Sequence, residues 1–397
     1  MRKIFRVEAD VKVWVRWSAL GVMAAVMSAG AWAQTGATKS KSLTEKEAAG
    51  DSPADPGPLA TGLSSKLDRK DVDAAMKKVA AWQISYAQAK FNQQWTYAPL
   101  YEGLLVESHA AKDPTSEAAV VKMAEGFDWK LMVDRFPHAD DEALGRAYLE
   151  LYQEKPEPVK MAATKEIMDR LVARQDDPKK LLWWWCDALY MAPPVMARLS
   201  KITGDRKYLD TMDKEWWETY DVLYDKQQDL YFRDETFLQK TEKNGKPLFW
   251  SRGNGWVLAG LAQVLELMPK DYPTRPKYEA EFKAMAAKIA SLQPADGVWR
   301  TGLLDPDSYS AGEVSGTAFY TYAMAWGVNH GLLDAKVYKP VVAKGWAGMI
   351  SHIYASGRLG AIQPIGAAPD SFTASSSYVY GVGGFLLAGS EIDKMKK

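Results

Sequence analysis

Cysteine is almost absent: Cys186 is the only one in 397 residues, so no intramolecular disulfide can brace the chain. Histidine is nearly as scarce. The four present, His109, His138, His330 and His352, form no H-E-x-x-H pattern, and a single cysteine allows no C-x-x-C. No metal centre is therefore expected. A Ser-centred nucleophile elbow and a phosphate-binding loop are also missing, and no cofactor is implied. Positive charge is not in excess, with 50 Lys and Arg against 50 Asp and Glu, which argues against nucleic acid as a partner. Clean period-two alternation bounded by turn residues is lacking, so strands should be incidental.

The one long apolar run, Trp17 to Met27, sits near the N-terminus behind Arg2, Lys3, Arg6, Lys12 and Arg16. It leads to Ala31-Trp32-Ala33, a small-residue cleavage pattern. Residues 1–33 thus have the layout of a secretory signal peptide, too short to be a good membrane span. The mature chain is expected to be exported, periplasmic or secreted, with no stable membrane insertion after cleavage. Losing those residues leaves 45 basic and 48 acidic side chains, a net charge near −3. Residues 34–66 are rich in Ser, Thr, Gly, Pro and charge, and read as a disordered linker. From residue 67 to 397 the composition is aromatic, apolar and periodic, as in one folded domain.

Helical periodicity predicts helices over 68–91, 98–111, 115–126, 139–153, 158–174, 187–203, 206–224, 255–268, 277–293, 314–331, 336–355 and 377–391. Gly204, Pro269 and Gly331 supply stop signals. Twelve helices make six hairpins, and the long links 175–186, 225–254, 294–313 and 356–376 gather aromatic and charged residues. An all-α, single-domain (α/α)6 barrel with these links at one rim fits that pattern. An open helical-repeat solenoid would need a repeated consensus, and none is present. The 16 Trp and 19 Tyr fit a sugar-binding cleft, because aromatic faces stack on the C–H faces of pyranose rings.

Three clusters could carry chemistry. The first, LLWWWCDALYMAPP from Leu181 to Pro194, sets one carboxylate, Asp187, inside the most apolar stretch of the chain. Such a group either caps a helix or keeps a proton to unusually high pH. Three consecutive tryptophans cannot share one helix face, so at least one should point toward a cleft. The second, FWSRGNGW from Phe249 to Trp256, offers an arginine fork at Arg252 and two glycines that permit close backbone approach or unusual dihedrals. The third, HADDEALGRAYLELY, places Asp140 and Asp141 at a helix start, where one of them could be a cap and the other could reach a central cavity. LYFRDETF, DGVWRTG and EVSGT are weaker candidates, the last readable as a simple cap at Glu313.

Together WWWCDALYMAPP, the TGDRKYLD after it, FWSRGNGW and the Asp-Asp-x-x-x-Gly of the fourth helix resemble glycoside hydrolase family 105, the unsaturated rhamnogalacturonyl and unsaturated glucuronyl hydrolases. The resemblance runs in register over about residues 70–391. It implies an (α/α)6 barrel and a substrate left by a polysaccharide lyase, an oligosaccharide with a 4,5-unsaturated uronic acid at its non-reducing end. It implies Asp187 as the acid that protonates C4 while water adds at C5, with Asp140 as the second acidic residue, or Asp141 after a shift of one. It implies sugar contacts at Trp185, Arg252 and Trp256. Arg233 stands where some members carry histidine, which leaves galacturonyl and glucuronyl units both open. A non-catalytic oligosaccharide-binding protein, or another sugar-processing enzyme on the same barrel, is the alternative.

Overall fold

The computed structural model describes residues 44–174 and 180–395, all within one compact unit. The expected signal peptide, residues 34–43 of the expected linker and part of the 175–186 link lie outside the described residues. In chain order the helices are α1 (Glu45–Ala49), α2 (Arg69–Ala87), α3 (Ala98–Ala111), α4 (Thr115–Gly126), α5 (Ala139–Glu142), α6 (Gly145–Glu154), α7 (Pro158–Val172) and α8 (Ala188–Met191). They continue with α9 (Pro193–Thr203), α10 (Arg206–Leu223), α11 (Ser251–Leu267), α12 (Arg275–Ser291), α13 (Val314–Asn329), α14 (Ala335–Ile350) and α15 (Val379–Lys394).

Each of the twelve expected helices is present. Two are broken near their starts, the fourth into α5 and α6 and the sixth into α8 and α9. The second break falls at Pro193-Pro194, which can open a helix but cannot continue one. Strand is confined, among the described residues, to two short ladders. β1 (Gly50–Asp51) pairs with β4 (Ser377–Tyr378), and β2 (Tyr224–Asp225) pairs with β3 (Leu230–Tyr231), both antiparallel.

Contacts run from α3 to α6, α9, α11, α13, α15 and back to α3, a closed inner ring. Helices α2, α4, α7, α10, α12 and α14 back it from outside, giving the (α/α)6 toroid. The layers differ in sequence for a physical reason. Helices α11, α13 and α15 are apolar nearly all round and are buried over almost their whole length, whereas α10 buries one stripe through Tyr208, Leu209, Met212 and Trp216. Inner helices meet backbone to backbone. A Cβ at Gly383 of α15 would overlap the carbonyl oxygen of Pro99 on α3. Gly383→Ala is therefore expected to cost about 1–3 kcal/mol or more, read as a lower denaturation midpoint with an unchanged m-value.

The expected linker needs correction over 44–66. This stretch lies on the barrel: β1 pairs with β4, Tyr97 Oη donates to the Ala48 carbonyl at 2.7 Å, and Ala60 N donates to Ile353 O at 2.8 Å. Asp51 pairs with the buried guanidinium of Arg358. Composition reports side-chain hydrophobicity. The segment is held instead by backbone pairing and by a buried cation that needs a counter-ion.

The inner helices run in the same direction. Their N-termini, at residues 98, 145, 193, 251, 314 and 379, form one rim, and the long links converge there.

Candidate active site

Asp187 sits at this rim, at the step into α8. Its backbone is already helical (φ −62°, ψ −27°), and its side chain caps no free N–H. Of the two readings open in the sequence, the cap is removed. The residue is 8% exposed, and its carboxylate has two near neighbours: the Cys186 thiol, donating to Oδ1 at 3.6 Å, and Arg233 Nε, 3.9 Å from Oδ2. Burial pushes its pKa above the ordinary carboxylate range, opposed by the charges of Arg233 and Arg252. A carboxyl group with no cap to serve and a raised proton affinity is equipped to deliver a proton.

Arg233 reaches this position through backbone pairing. Cys186 N donates to Arg233 O at 2.8 Å, and Trp185 forms an antiparallel bridge with Asp234. The tryptophan stretch and LYFRDETF are thereby zipped together. Asp234 then takes Arg233 Nη1 and holds the guanidinium over the Trp184 ring.

Asp140 and Asp141, adjacent in sequence, have different partners. Asp141 is buried and accepts from Arg135 N at 3.0 Å and Arg135 Nε at 2.9 Å, with Arg135 Nη2 closing the clamp. A carboxylate wrapped in this way by one arginine has little acceptor capacity left. Asp140 has only the outer Arg135 nitrogen at 3.4 Å and His138 Nδ1 at 3.6 Å. Its pKa is pushed up to about 7, first by burial and then by the Asp187 charge, against the pull of Arg135. Helices α5 and α8 pack together, so these two carboxyls form the acidic pair of the rim. His138, whose pKa is lowered by burial and by Arg135, is neutral at pH 7 and lies over the Trp185 ring at 4.5 Å.

Three residues expected to contact the sugar are buried in this structure. Trp185 is buried between His138 and Trp184, and the tryptophan that faces out is Trp184, 44% exposed. Trp256 is 1% exposed and packs on Phe319 at 4.2 Å and Tyr190 at 4.7 Å, deep in the inner ring. Arg252 is also 1% exposed, lodged between the Trp250 and Tyr380 rings. Its Nη1 and Nη2 donate to the carbonyls of Gln363 and Pro364 at 2.7 and 2.9 Å. A buried guanidinium needs acceptors, and here the backbone of the 356–376 link supplies them for both terminal nitrogens while Nε has none.

From Ser251 onward FWSRGNGW lies inside α11, so its glycines adopt helical dihedrals. They serve close packing: a Cβ at Gly253 would stand 3.1 Å from Cys186 Sγ and 3.6 Å from Asp187 Oδ1. Glu313 is a cap, accepting from Ser315 N and Gly316 N. Trp184 is the member of the tryptophan run that faces out, a choice the sequence left open, and the half-buried Trp95, which stacks on Tyr380, was missed in the sequence. The signal for Trp95 was its place three residues before an inner helix. Among the described residues one His and carboxylate group has metal-ligand spacing, His109 with Glu117 and Glu154, and it lies near the other ends of α3 and α6.

Buried carboxyls make the stability of the fold depend on pH. Besides Asp140, Glu142 is held up to about 8 by burial and by Asp141 and Asp140, and Glu281, buried beneath Tyr231 and Trp216, is also near 8. Each folded-state pKa exceeds its unfolded value. The stability these groups contribute is present below about pH 4 and is lost as pH rises through 7 to 8. Urea midpoints are expected to fall between pH 5.5 and 8.5, and Glu142→Gln should flatten that slope.

Residues 68–396 match the family described as Glycosyl Hydrolase Family 88. The chain is 42% identical over 350 residues to the unsaturated 3S-rhamnoglycuronyl hydrolase of Formosa agariphila, covering 83% of this chain and 93% of that protein. A protein of the same name from an Alteromonas species is 33% identical over 368 residues, covering 84% and 89%. The solved structure of a family 88 glycosyl hydrolase from Bacteroides vulgatus superposes with a TM-score of 0.78 at 30% identity, over 83% of this chain and all of that one. With a closed six-hairpin toroid, an acidic pair at its aromatic rim and a family match across nearly the whole described barrel, the chain belongs to glycosyl hydrolase family 88 and is a glycosidase.

Proposed function

We propose that the protein removes a 4,5-unsaturated uronic acid from the non-reducing end of lyase-generated oligosaccharides, with rhamnose as the sugar released. The observation that carries this reading is Asp187: uncapped, buried and proton-retaining at the rim, with a second carboxyl, Asp140, beside it. Ordinary glycoside hydrolysis sets two carboxyls across the scissile bond. A vinyl ether needs something simpler, one acid to protonate C4 while water adds to C5. The product is a hemiketal at C5. It opens to a C5 ketone, leaving a hemiacetal at C1 that collapses to the aldehyde and expels the saccharide.

Asp187 is the proton donor in this scheme. Asp140, the second carboxyl beside it, offers a hydrogen-bond partner for the attacking water. Trp184 supplies the exposed ring for sugar stacking, and Trp185 behind it keeps the acid dry. The names of the two relatives support the rhamnose, and WWWCDALYMAPP with FWSRGNGW supports a place beside the family 105 enzymes within this larger group. The basic and apolar N-terminus supports export, with residues 1–33 removed.

The test is optical. On uronyl-rhamnose oligosaccharides made by a lyase, the protein should abolish the ultraviolet absorbance of the conjugated double bond and release free saccharide in equal amount. Substrates carrying galacturonyl-derived and glucuronyl-derived ends, compared side by side, assign the linkage. Release of saccharide with the absorbance intact would sink the hydration route.

A further inference from the structure

We propose that Arg233, and not Arg252, binds the carboxylate of the unsaturated uronic acid; this rests on the function proposed above. The two arginines flank Asp187 but differ in access. Arg252 has both terminal nitrogens on backbone carbonyls and both guanidinium faces against aromatic rings, and its unpartnered Nε belongs to a residue only 1% exposed. Arg233 is 18% exposed at its side chain. Only its Nη1 is held, by Asp234, and its Nε has no hydrogen-bond partner. The edge carrying Nε is the one an arginine uses for side-on, two-point binding of a carboxylate.

Substrate chemistry demands a cation at this place. The uronate carboxylate sits on C5, one bond from the C4 that receives the proton. Whatever anchors it must therefore stand next to the proton donor. Arg233 Nε is 3.9 Å from Asp187 Oδ2 and lies over the exposed Trp184, so an anchored carboxylate brings the sugar ring to both. Asp234 matters as the holder: it fixes the guanidinium through Nη1 while Nε is left without a hydrogen-bond partner.

A consequence follows for the proton. In the free protein the groups facing the Asp187 carboxyl are Cys186 beside it, Arg233 and Asp234 from the 225–254 link, Arg252 from α11 and Asp140 from α5, with His138 neutral behind. Arg233 is the largest charge pulling the proton off. A bound carboxylate offsets that charge, so the proton on Asp187 is held to higher pH once substrate is seated. The alkaline limb of kcat should then lie at higher pH than that of kcat/KM.

The experiment compares unsaturated uronyl-rhamnose with its C6 methyl ester, in the wild type, Arg233→Gln and Arg233→Lys. The wild type should prefer the acid over the ester by roughly 10- to 100-fold in kcat/KM. Arg233→Gln should lose that preference, mainly through KM, and move the alkaline limb of kcat/KM upward. Arg233→Lys, which keeps charge without the fork, should restore part of the preference and guards against a folding defect in the glutamine variant. Retained acid preference in both variants would overturn the anchor while leaving the hydrolase reading intact. Wild-type protein that fails to bleach either substrate would overturn the hydrolase reading itself, and the anchor with it.

Discussion

Asp187→Asn is expected to lower turnover of unsaturated uronyl oligosaccharides by roughly 10²- to 10⁴-fold, the range a positioned acid contributes. Asparagine has the same shape and presents an amide where the acid carries its proton, so the packing against Cys186, Gly253 and Arg233 survives. Stability should be unchanged or slightly higher, because the folded chain no longer holds a carboxyl that is costly to ionise in its buried setting. Single-turnover loss of ultraviolet absorbance and thermal unfolding are the paired measurements. Wild-type rates in the Asn variant would remove Asp187 from the chemistry. A collapse of stability would return it to the structural role that the missing cap hydrogen bond now argues against.

Arg252→Met should behave in the opposite way, with stability as the primary loss. The guanidinium ties the start of α11 to the 356–376 link through two charge-assisted bonds, and it fills the space between Trp250 and Tyr380. Methionine keeps much of the volume but leaves the Gln363 and Pro364 carbonyls without these donors. Hydrogen bonds to charged groups contribute about 1.5–3 kcal/mol each, so a loss of roughly 3 kcal/mol or more is expected. A lowered urea midpoint is the readout, with activity falling in parallel because the rim loosens. A variant that folds with wild-type stability and shows only a raised KM would make Arg252 a substrate contact after all.

These two residues show why the fold was easier to read than the site. The twelve helices were legible because each answers to local rules: an apolar period, an Asp before a helix start at 68, 205 and 334, and Gly204 in the left-handed conformation at a helix end (φ 72°). Local rules also mislead. They read the polar, Gly- and Pro-containing stretch at 44–66 as free chain, although its backbone pairs with β4. The resemblance placed an arginine and a tryptophan from FWSRGNGW on the sugar, and in the structure α11 turns both into the interior.

By sequence alone this chain was determined to be an all-α toroid with an aromatic rim and one carboxylate, Asp187, in an apolar setting, because helix periodicity and composition are properties of neighbours along the chain. Tertiary structure decided what that setting contains. Pairing of the tryptophan stretch with the 225–254 link brings Arg233 beside Asp187, packing of α5 on α8 brings Asp140 near, and the turn of the backbone exposes Trp184 instead of Trp185. Arg135 chose between two adjacent aspartates by clamping one. Each of these depends on residues tens of positions apart or on which way a side chain faces, and proton affinity, donor capacity and exposure are set by those neighbours in space.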